Sequence, residues 1–166
     1  MPDKKYILNK QEASLKIKRL ALEVAEILIS NKNEIIIIGI KKNGVTIAEK
    51  VAELLKQYVQ QPLTVLQLSL NKATANFIEL SENIDFTNKY VLLCDDVVNS
   101  GKTLLYALKP ILEQYPASIQ TLVLVERMHT LFPIKADFVG ISLTSTLQNN
   151  IVVEIENNEI TGAYLE

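Results

Sequence analysis

Two short apolar runs constrain the fold most strongly. Each run is followed by polar residues and then by a segment that is predicted to be helical. The runs are Ile35–Ile38 and Tyr90–Cys94. Neither alternates apolar with polar residues, which is typical of strands buried on both faces in a parallel sheet. Helical periodicity covers residues 10–30 and Val45 to about Tyr58. We therefore expect an α/β fold with a mainly parallel central sheet flanked by helices.

The other segments extend this alternation. We predict a turn over residues 39–44, a third helix from Gly101 to about Tyr115, and a long loop over the polar, aperiodic residues 71–89. Further strands are predicted at residues 63–70, 119–125, 137–141 and 151–155. Functional sites in such folds lie at the carboxyl ends of the strands. By that rule, residues 39–44 and 95–103 are the candidate site segments.

Composition excludes several classes of protein. The 166 residues predict a single domain over 1–166, and the net charge of −2 with only two Arg gives little equipment for binding nucleic acid. A single cysteine, Cys94, excludes an internal disulfide, and a single histidine, His129, argues against a His-based metal site. No apolar run is long enough to span a membrane, and no export signal is visible at the N-terminus. We expect a cytoplasmic protein with no membrane partner.

The segment Val91–Leu104 carries the strongest chemical signal. Two adjacent carboxylates, Asp95 and Asp96, end an apolar strand, and the turn Asn99–Thr103 then enters a helix. Backbone N–H groups of such a turn, with the helix dipole, form an anion site suited to phosphate. The carboxylates can accept hydrogen bonds from vicinal hydroxyls or help to hold Mg²⁺ through water. The segment therefore offers phosphate binding beside sugar-hydroxyl binding.

Three other interpretations account for this segment less well. A plain strand end with a helix cap accounts for one Asp but not for two followed by Ser-Gly-Lys-Thr. A P-loop requires Gly five residues before Gly101, where Asp96 stands, and its carboxylate would repel a triphosphate. A dinucleotide fingerprint requires a G-x-G-x-x-G run, which this segment lacks.

The segment resembles the phosphoribosyl-pyrophosphate (PRPP) signature of type I phosphoribosyltransferases: an apolar strand, two acids and a Thr-Gly-Arg-Thr-like turn. Residues 38–45 resemble the pyrophosphate loop of that family. Residues 124–129 and 131–140, the latter with its Pro-Ile-Lys-Ala-Asp-Phe-Val-Gly run, resemble one branch. That branch contains the pyrimidine-operon attenuator proteins that are also uracil phosphoribosyltransferases. The similarity covers nearly the whole chain and implies the type I phosphoribosyltransferase fold, with a small hood of N- and C-terminal segments.

The resemblance implies a role for each matching position. Asp95 and Asp96 would bind the ribose 2- and 3-hydroxyls of PRPP. The 5-phosphate would be wrapped by Val98, Asn99, Ser100, Gly101, Lys102 and Thr103. The pyrophosphate would be held by Lys41, Lys42, Asn43 and Gly44, in a loop that often has a non-proline cis peptide in this family. Arg127 and His129 would lie on the base side. Mg²⁺ would bridge pyrophosphate and ribose hydroxyls, and the partners would be PRPP and a nucleobase.

The implied reaction displaces pyrophosphate from the anomeric carbon of PRPP by a nitrogen of the base. Its transition state is oxocarbenium-like, so Mg²⁺, lysines and backbone N–H groups stabilise the leaving group. No covalent nucleophile is needed. Residues 71–89 would close over the site and exclude water. By analogy with the family, we expect a homodimer or higher homo-oligomer.

The chain departs from the branch at several positions. Asn43 replaces an Arg before the glycine of the pyrophosphate loop, and residues 71–89 form a shorter loop without the Tyr-Arg-Asp-like start. Ile141 and Ser142 replace a Lys-Asn pair near the base site. Uracil is the first expectation for the base, with a purine such as hypoxanthine second. The altered loop favours a second hypothesis, a PRPP- or nucleotide-sensing protein without turnover. RNA attenuation is not expected with two Arg.

Overall fold

Nine strands and four helices make up the part of the chain that the computed structural model describes, which is residues 4–70, 78–144 and 150–166. In chain order they are β1 (Lys5–Asn9), α1 (Lys10–Leu28), β2 (Ile35–Ile40), α2 (Lys41–Leu55), β3 (Leu63–Leu70), β4 (Ile78–Leu80), β5 (Tyr90–Val98), α3 (Lys102–Ala107), α4 (Lys109–Leu112), β6 (Ser118–Arg127), β7 (Phe138–Leu143), β8 (Ile151–Glu156) and β9 (Glu159–Leu165).

The body of the protein is a six-stranded sheet with the order β4-β3-β2-β5-β6-β7. All of its pairings are parallel except β3 with β4. The apolar runs of β2 and β5 form the centre, with Ile37 opposite Leu92, because strands covered on both faces can carry continuous apolar sequence. The expected α/β fold with a mainly parallel sheet is confirmed.

Helices cover the sheet on two sides and divide the core into two clusters. One cluster joins α1 and α2 to side chains such as Ile37 and Leu92, and the other joins α3 and α4 to side chains such as Ile38 and Leu93. The first helix begins at a capping box in which the Asn9 carboxamide accepts from the Glu12 amide and the Glu12 carboxylate accepts from the Asn9 amide.

A second, antiparallel sheet with the order β1-β9-β8 forms the hood. It combines N- and C-terminal segments, as the family resemblance implies. Strands β1 and β9 were not among the predicted strands. The tight connection from β8 to β9 is made by Asn157 and Asn158, whose φ angles of 50° and 62° suit a two-residue hairpin turn.

The predicted boundaries of the second and third helices were wrong. The second helix begins at Lys41 rather than Val45 and ends at Leu55, so residues 41–44 form its first turn instead of a loop. The third helix is divided at Leu108 into α3 and α4, because Pro110 has no N–H to donate to the carbonyl four residues earlier.

The predicted loop over residues 71–89 is only partly a loop. Residues 71–77 lie outside the described residues, but Ile78–Leu80 pairs with β3. Phe86 is buried in the second cluster, and its amide donates to Gln114 Oε1 at 2.6 Å. Apolar side chains at alternate positions therefore attach the second half of this segment to the body of the protein. Within the described ranges, no helix has the length and apolar character needed to cross a membrane.

Candidate active site

A cleft of about 480 Å³ opens where the carboxyl ends of β2 and β5 face the hood. One wall is the first turn of α2, another is the end of β5 with Asn99 and Thr103, and the third is the start of β8. The lining residues are Ile40, Lys41, Lys42, Asn43, Asp95, Asp96, Val97, Asn99, Thr103, Ile151, Val152 and Val153. The two segments that the sequence singled out, 39–44 and 95–103, therefore meet in one cavity.

Asp95 and Asp96 lie side by side at the end of β5. Asp95 is 6% exposed, and its Oδ1 accepts from the Asp96 amide at 2.9 Å. Asp96 is less buried, and its Oδ1 accepts from the Val97 amide at 2.9 Å. Burial, followed by the charge of Asp96, raises the pKa of Asp95 well above its ordinary value, while the Lys41 ammonium opposes the rise.

Asn43 connects this carboxylate pair to the hood. Its Nδ2 donates to Asp96 Oδ2 at 2.7 Å and to the Val153 carbonyl of β8 at 3.3 Å. The residue that replaces a family arginine thus contacts a site carboxylate and a hood strand together. No signal in the local sequence identifies either partner.

The other residues of the predicted pyrophosphate loop form the N-terminus of α2. Lys41 has a φ of 56°, and every peptide bond in the described residues is trans. No side chain caps this helix, so its first backbone N–H groups are left to the cleft, beside Lys41 and Lys42. Gly44 is needed for close approach rather than for a turn, because a Cβ there would lie 2.7 Å from the Cys94 carbonyl oxygen.

The turn after β5 encloses a second, smaller cavity of about 90 Å³. It is lined by Asp95, Val97, Val98, Asn99, Ser100, Gly101, Thr103 and Leu104, so every residue of the predicted phosphate turn except Lys102 borders it. Gly101 has a φ of 82°, a conformation that favours glycine. The Ser100 Oγ accepts from the Lys102 amide at 3.3 Å and helps to close the turn.

A neighbouring segment holds the phosphate turn from outside. The amides of Leu131 and Phe132 both donate to the Ser100 carbonyl at 3.0 Å, and a Cβ on Gly101 would lie 2.9 Å from Ile134 Cγ2. This directs the Ser100 carbonyl towards residues 131–132. The sequence analysis missed this support, because the contacts join residues about 30 positions apart.

The two predicted base-side residues have different surroundings. Arg127 is 3% exposed, and its Nη2 donates to Asn99 Oδ1 at 3.3 Å, so it contacts the phosphate turn. His129 is exposed in the bend after β6. Cys94 is fully buried, and burial raises the pKa of its thiol, so it is a small core residue rather than a reactive thiol. The Asp137 carboxylate accepts from the amide and hydroxyl of Thr121, which is a structural role.

The side chains at the cleft can be compared with the ligands that the expected Mg²⁺ would need. In residues 4–70, 78–144 and 150–166, no group of three or more His, Cys, Asp or Glu could hold a metal ion. Two adjacent carboxylates at an open cleft instead fit a cation that takes most of its oxygens from a bound substrate. The hood strand residues 151–153 also line the cleft and were missed as site residues, since backbone contacts leave no mark on residue type.

Comparisons with known proteins agree with this geometry. The model of the phosphoribosyl transferase domain matches residues 4–157. The chain is 31% identical to the bifunctional protein PyrR of Bacillus subtilis (strain 168), covering 99% of this chain and 98% of that protein. It is 30% identical to the bifunctional protein PyrR of Chloroflexus aurantiacus, covering 96% of this chain and 92% of that protein.

Solved structures show the same fold at low sequence identity. The hypoxanthine phosphoribosyltransferase of Trypanosoma cruzi matches with a TM-score of 0.80 at 17% identity, covering 97% of this chain and 95% of that one. A hypoxanthine-guanine phosphoribosyltransferase from Bacillus anthracis matches with a TM-score of 0.74 at 17% identity, covering 97% of this chain and 96% of that one. By sequence and by fold, the chain belongs to the type I phosphoribosyltransferase family, in the branch of the bifunctional PyrR proteins.

Proposed function

We propose that this protein transfers the phosphoribosyl group of PRPP to a nucleobase, with uracil first, and releases pyrophosphate. One observation carries the proposal: Asp95 and Asp96 lie between the small cavity of the phosphate turn and the uncapped, lysine-bearing N-terminus of α2. PRPP has its phosphate, its vicinal hydroxyls and its pyrophosphate in this order. A simple strand end with a helix cap would not need three such groups around one cleft.

Each wall of the cleft supplies one part of the binding. Val98–Thr103 would take the 5-phosphate through turn amides and the Ser100 and Thr103 hydroxyls. Asp95 and Asp96 would accept hydrogen bonds from the ribose hydroxyls and favour the positive charge that develops on the sugar. The α2 amides with Lys41 and Lys42 would stabilise the negative charge that grows on the departing pyrophosphate.

Asp95 and Asp96 are the carboxylates that would face a Mg²⁺ ion bound together with the substrate. When bound, Mg²⁺ would neutralise part of the charge on the leaving group. Arg127 would act by holding Asn99, and thus the phosphate turn. Residues 71–89 are predicted to close over the site, and the first part of that segment, residues 71–77, lies outside the described residues.

The choice of uracil rests on the resemblance of residues 124–140 to the attenuator branch. The identity of about 30% to bifunctional PyrR proteins over nearly the whole chain supports the same branch. The similarity to purine phosphoribosyltransferases is in fold alone, at 17% identity, and gives no weight to a purine. Uracil is therefore the first base to test and hypoxanthine the second.

The test is product formation from PRPP, Mg²⁺ and uracil, with hypoxanthine, guanine and orotate in parallel reactions. We expect UMP from the wild-type protein and none from the double variant Asp95→Asn/Asp96→Asn. A matched control is Glu26→Gln, which removes an exposed carboxylate of α1 away from the cleft and should leave the rate unchanged.

Each other outcome has a definite meaning. A purine nucleotide as product would keep the reaction and reject the choice of uracil. Tight PRPP binding without product from any base would favour the second hypothesis, a PRPP-sensing protein. The hydrogen bond from Asn43 to Asp96 is compatible with that hypothesis. Unchanged PRPP affinity in the double Asp variant would reject the site itself.

A further inference from the structure

Asn43 differs from its neighbours in the first turn of α2, because its side chain is already committed to the protein. Its amide group has two hydrogens, and two acceptors lie within reach: Asp96 Oδ2 at 2.7 Å and the Val153 carbonyl at 3.3 Å. Both hydrogens are therefore used without a ligand. An anionic pyrophosphate would have to compete with a carboxylate for this amide.

Each carboxylate oxygen of Asp96 accepts a hydrogen bond from the protein. Asn43 binds its Oδ2, and the Val97 amide binds its Oδ1 at 2.9 Å. Each carboxylate oxygen can accept more than one hydrogen bond, so both oxygens keep lone pairs for ribose hydroxyls. Two donors on opposite oxygens fix the plane of the carboxylate, and a fixed acceptor binds with a smaller loss of side-chain entropy.

The anchor at Val153 is itself fixed, because the hairpin of β8 and β9 is fastened to the same helix. Thr46 Oγ1 donates to Asn158 Oδ1 at 2.8 Å, and Asn158 Nδ2 donates to the Glu49 carboxylate at 3.2 Å. Lys50 pairs with Glu159 at 2.6 Å. Residues three and four apart share a helix face, so Asn43, Thr46 and Lys50 form one row of contacts to the hood.

We propose that Asn43 is a positioning residue that fixes Asp96 between α2 and hood strand β8 for ribose recognition, and that it is not a pyrophosphate ligand. This inference rests on the proposed function, since it assumes that Asp96 binds ribose hydroxyls. It replaces the role that the family resemblance implies for this position. Lys41, Lys42 and the helix amides then remain as the pyrophosphate-binding groups.

Two ligands separate the two roles without any need for turnover. Ribose 5-phosphate carries the hydroxyls and the 5-phosphate, and magnesium pyrophosphate carries only the leaving group. The variants are Asn43→Ala, which removes both donors, and Lys42→Ala, which removes a cation from the same turn. Binding of each ligand to each variant is measured by titration calorimetry, with the thermal midpoint as a check of folding.

A crossed pattern is expected. Asn43→Ala should weaken ribose 5-phosphate by about tenfold, because a hydrogen bond to a charged group is lost, and should leave magnesium pyrophosphate unchanged. Lys42→Ala should weaken magnesium pyrophosphate and leave ribose 5-phosphate unchanged. Should Asn43→Ala not fold, Asn43→Leu keeps a side chain of similar size without donors or charge, with the same expected loss.

Four results would overturn the inference. Loss of pyrophosphate binding alone in Asn43→Ala would make Asn43 a direct ligand of the leaving group. Equal losses for both ligands would indicate a general disturbance of α2. Failure of the wild-type protein to bind ribose 5-phosphate would reject the proposed function and this inference together, whereas wild-type binding that Asn43→Ala leaves intact would reject the inference alone.

Discussion

Gly44 of α2 lies directly against Asp95 of β5: a Cβ built on Gly44 would be 3.4 Å from Asp95 Oδ1 and 2.7 Å from the Cys94 carbonyl oxygen. The second of these contacts is with backbone, which cannot rotate away. The helix that carries the predicted pyrophosphate-binding residues is therefore held against the strand that carries the two carboxylates. The absence of a side chain at residue 44 allows this close approach of α2 to β5.

Gly44→Ala should therefore force α2 away from β5. We expect a loss of about 1–3 kcal/mol in the free energy of unfolding, typical of overpacking, together with weaker PRPP binding. Denaturant titration measures the first quantity and PRPP titration the second. Lys42→Ala, an exposed change in the same turn, should shift stability by less than about 0.5 kcal/mol. A Gly44→Ala variant as stable as the wild type would show that this contact does not hold the helix.

The Asp95 carboxyl makes stability depend on pH in a definite direction. Burial and the neighbouring Asp96 raise the pKa of Asp95, so the folded protein binds this proton more tightly than the unfolded chain does. The stabilisation is complete below the ordinary pKa of an aspartate and is lost as pH rises through the raised value. Asp95→Asn carries no such charge, so its advantage over the wild type should grow as pH rises across that window.

The measurement is the thermal midpoint of both proteins, without ligand, from acidic to neutral pH. Each 1 kcal/mol of relief should raise the midpoint by about 2–4 °C in a chain of this size. Asp95→Asn should gain stability at neutral pH while it loses affinity for PRPP. A constant difference between the two proteins at all pH values would contradict the shifted ionisation of Asp95.

The central sheet was predictable because its evidence is local. Ile35–Ile38 is fully buried, as a continuous apolar run is expected to be. Such a run indicates a strand of a parallel sheet even when its partner strands are not known. Two of the three hood strands, β1 and β9, gave no such signal. In β1, only Leu8 is buried, and its pairing with β9 is interrupted between Tyr6 and Leu8. Strand β1 forms through pairing with residues more than 150 positions away.

The candidate site also has a part that could be predicted from the sequence and a part that could not. Asp95 and Asp96 lie near the end of β5 and the glycine turn follows it, so their chemistry and their position could be predicted together. The contact of Asn43 with Asp96 could not, because it spans 53 positions and depends on where α2 begins. A helix that began at Val45, as the periodicity suggested, would leave Asn43 in a loop. The first turn forms because Gly39 and Gly44 allow the chain to pack tightly.

The phosphate turn should be sensitive to a side chain at Gly101. Its φ of 82° costs an L residue about 1–2 kcal/mol, and a Cβ there would lie 2.9 Å from Ile134 Cγ2. Gly101→Ala should therefore lose both stability and affinity for ribose 5-phosphate. The double variant Gly101→Ala/Ile134→Ala removes the steric contact but keeps the strained φ, so it should recover part of the affinity relative to Gly101→Ala. No recovery would assign the whole effect to the backbone.

Substitution of Arg127 tests whether this residue supports the binding of PRPP or the binding of the base. The side chain is buried and donates to Asn99 Oδ1, so Arg127→Ala should raise the KM for PRPP, while the KM for the base changes less. The same variant should lose about 1.5–3 kcal/mol in the free energy of unfolding, because a hydrogen bond from a charged group is removed. Asn99→Ala, which removes the partner, should give a similar rise in the KM for PRPP with a smaller loss of stability. A rise confined to the KM for the base would return Arg127 to the base side, the role that the family resemblance implies.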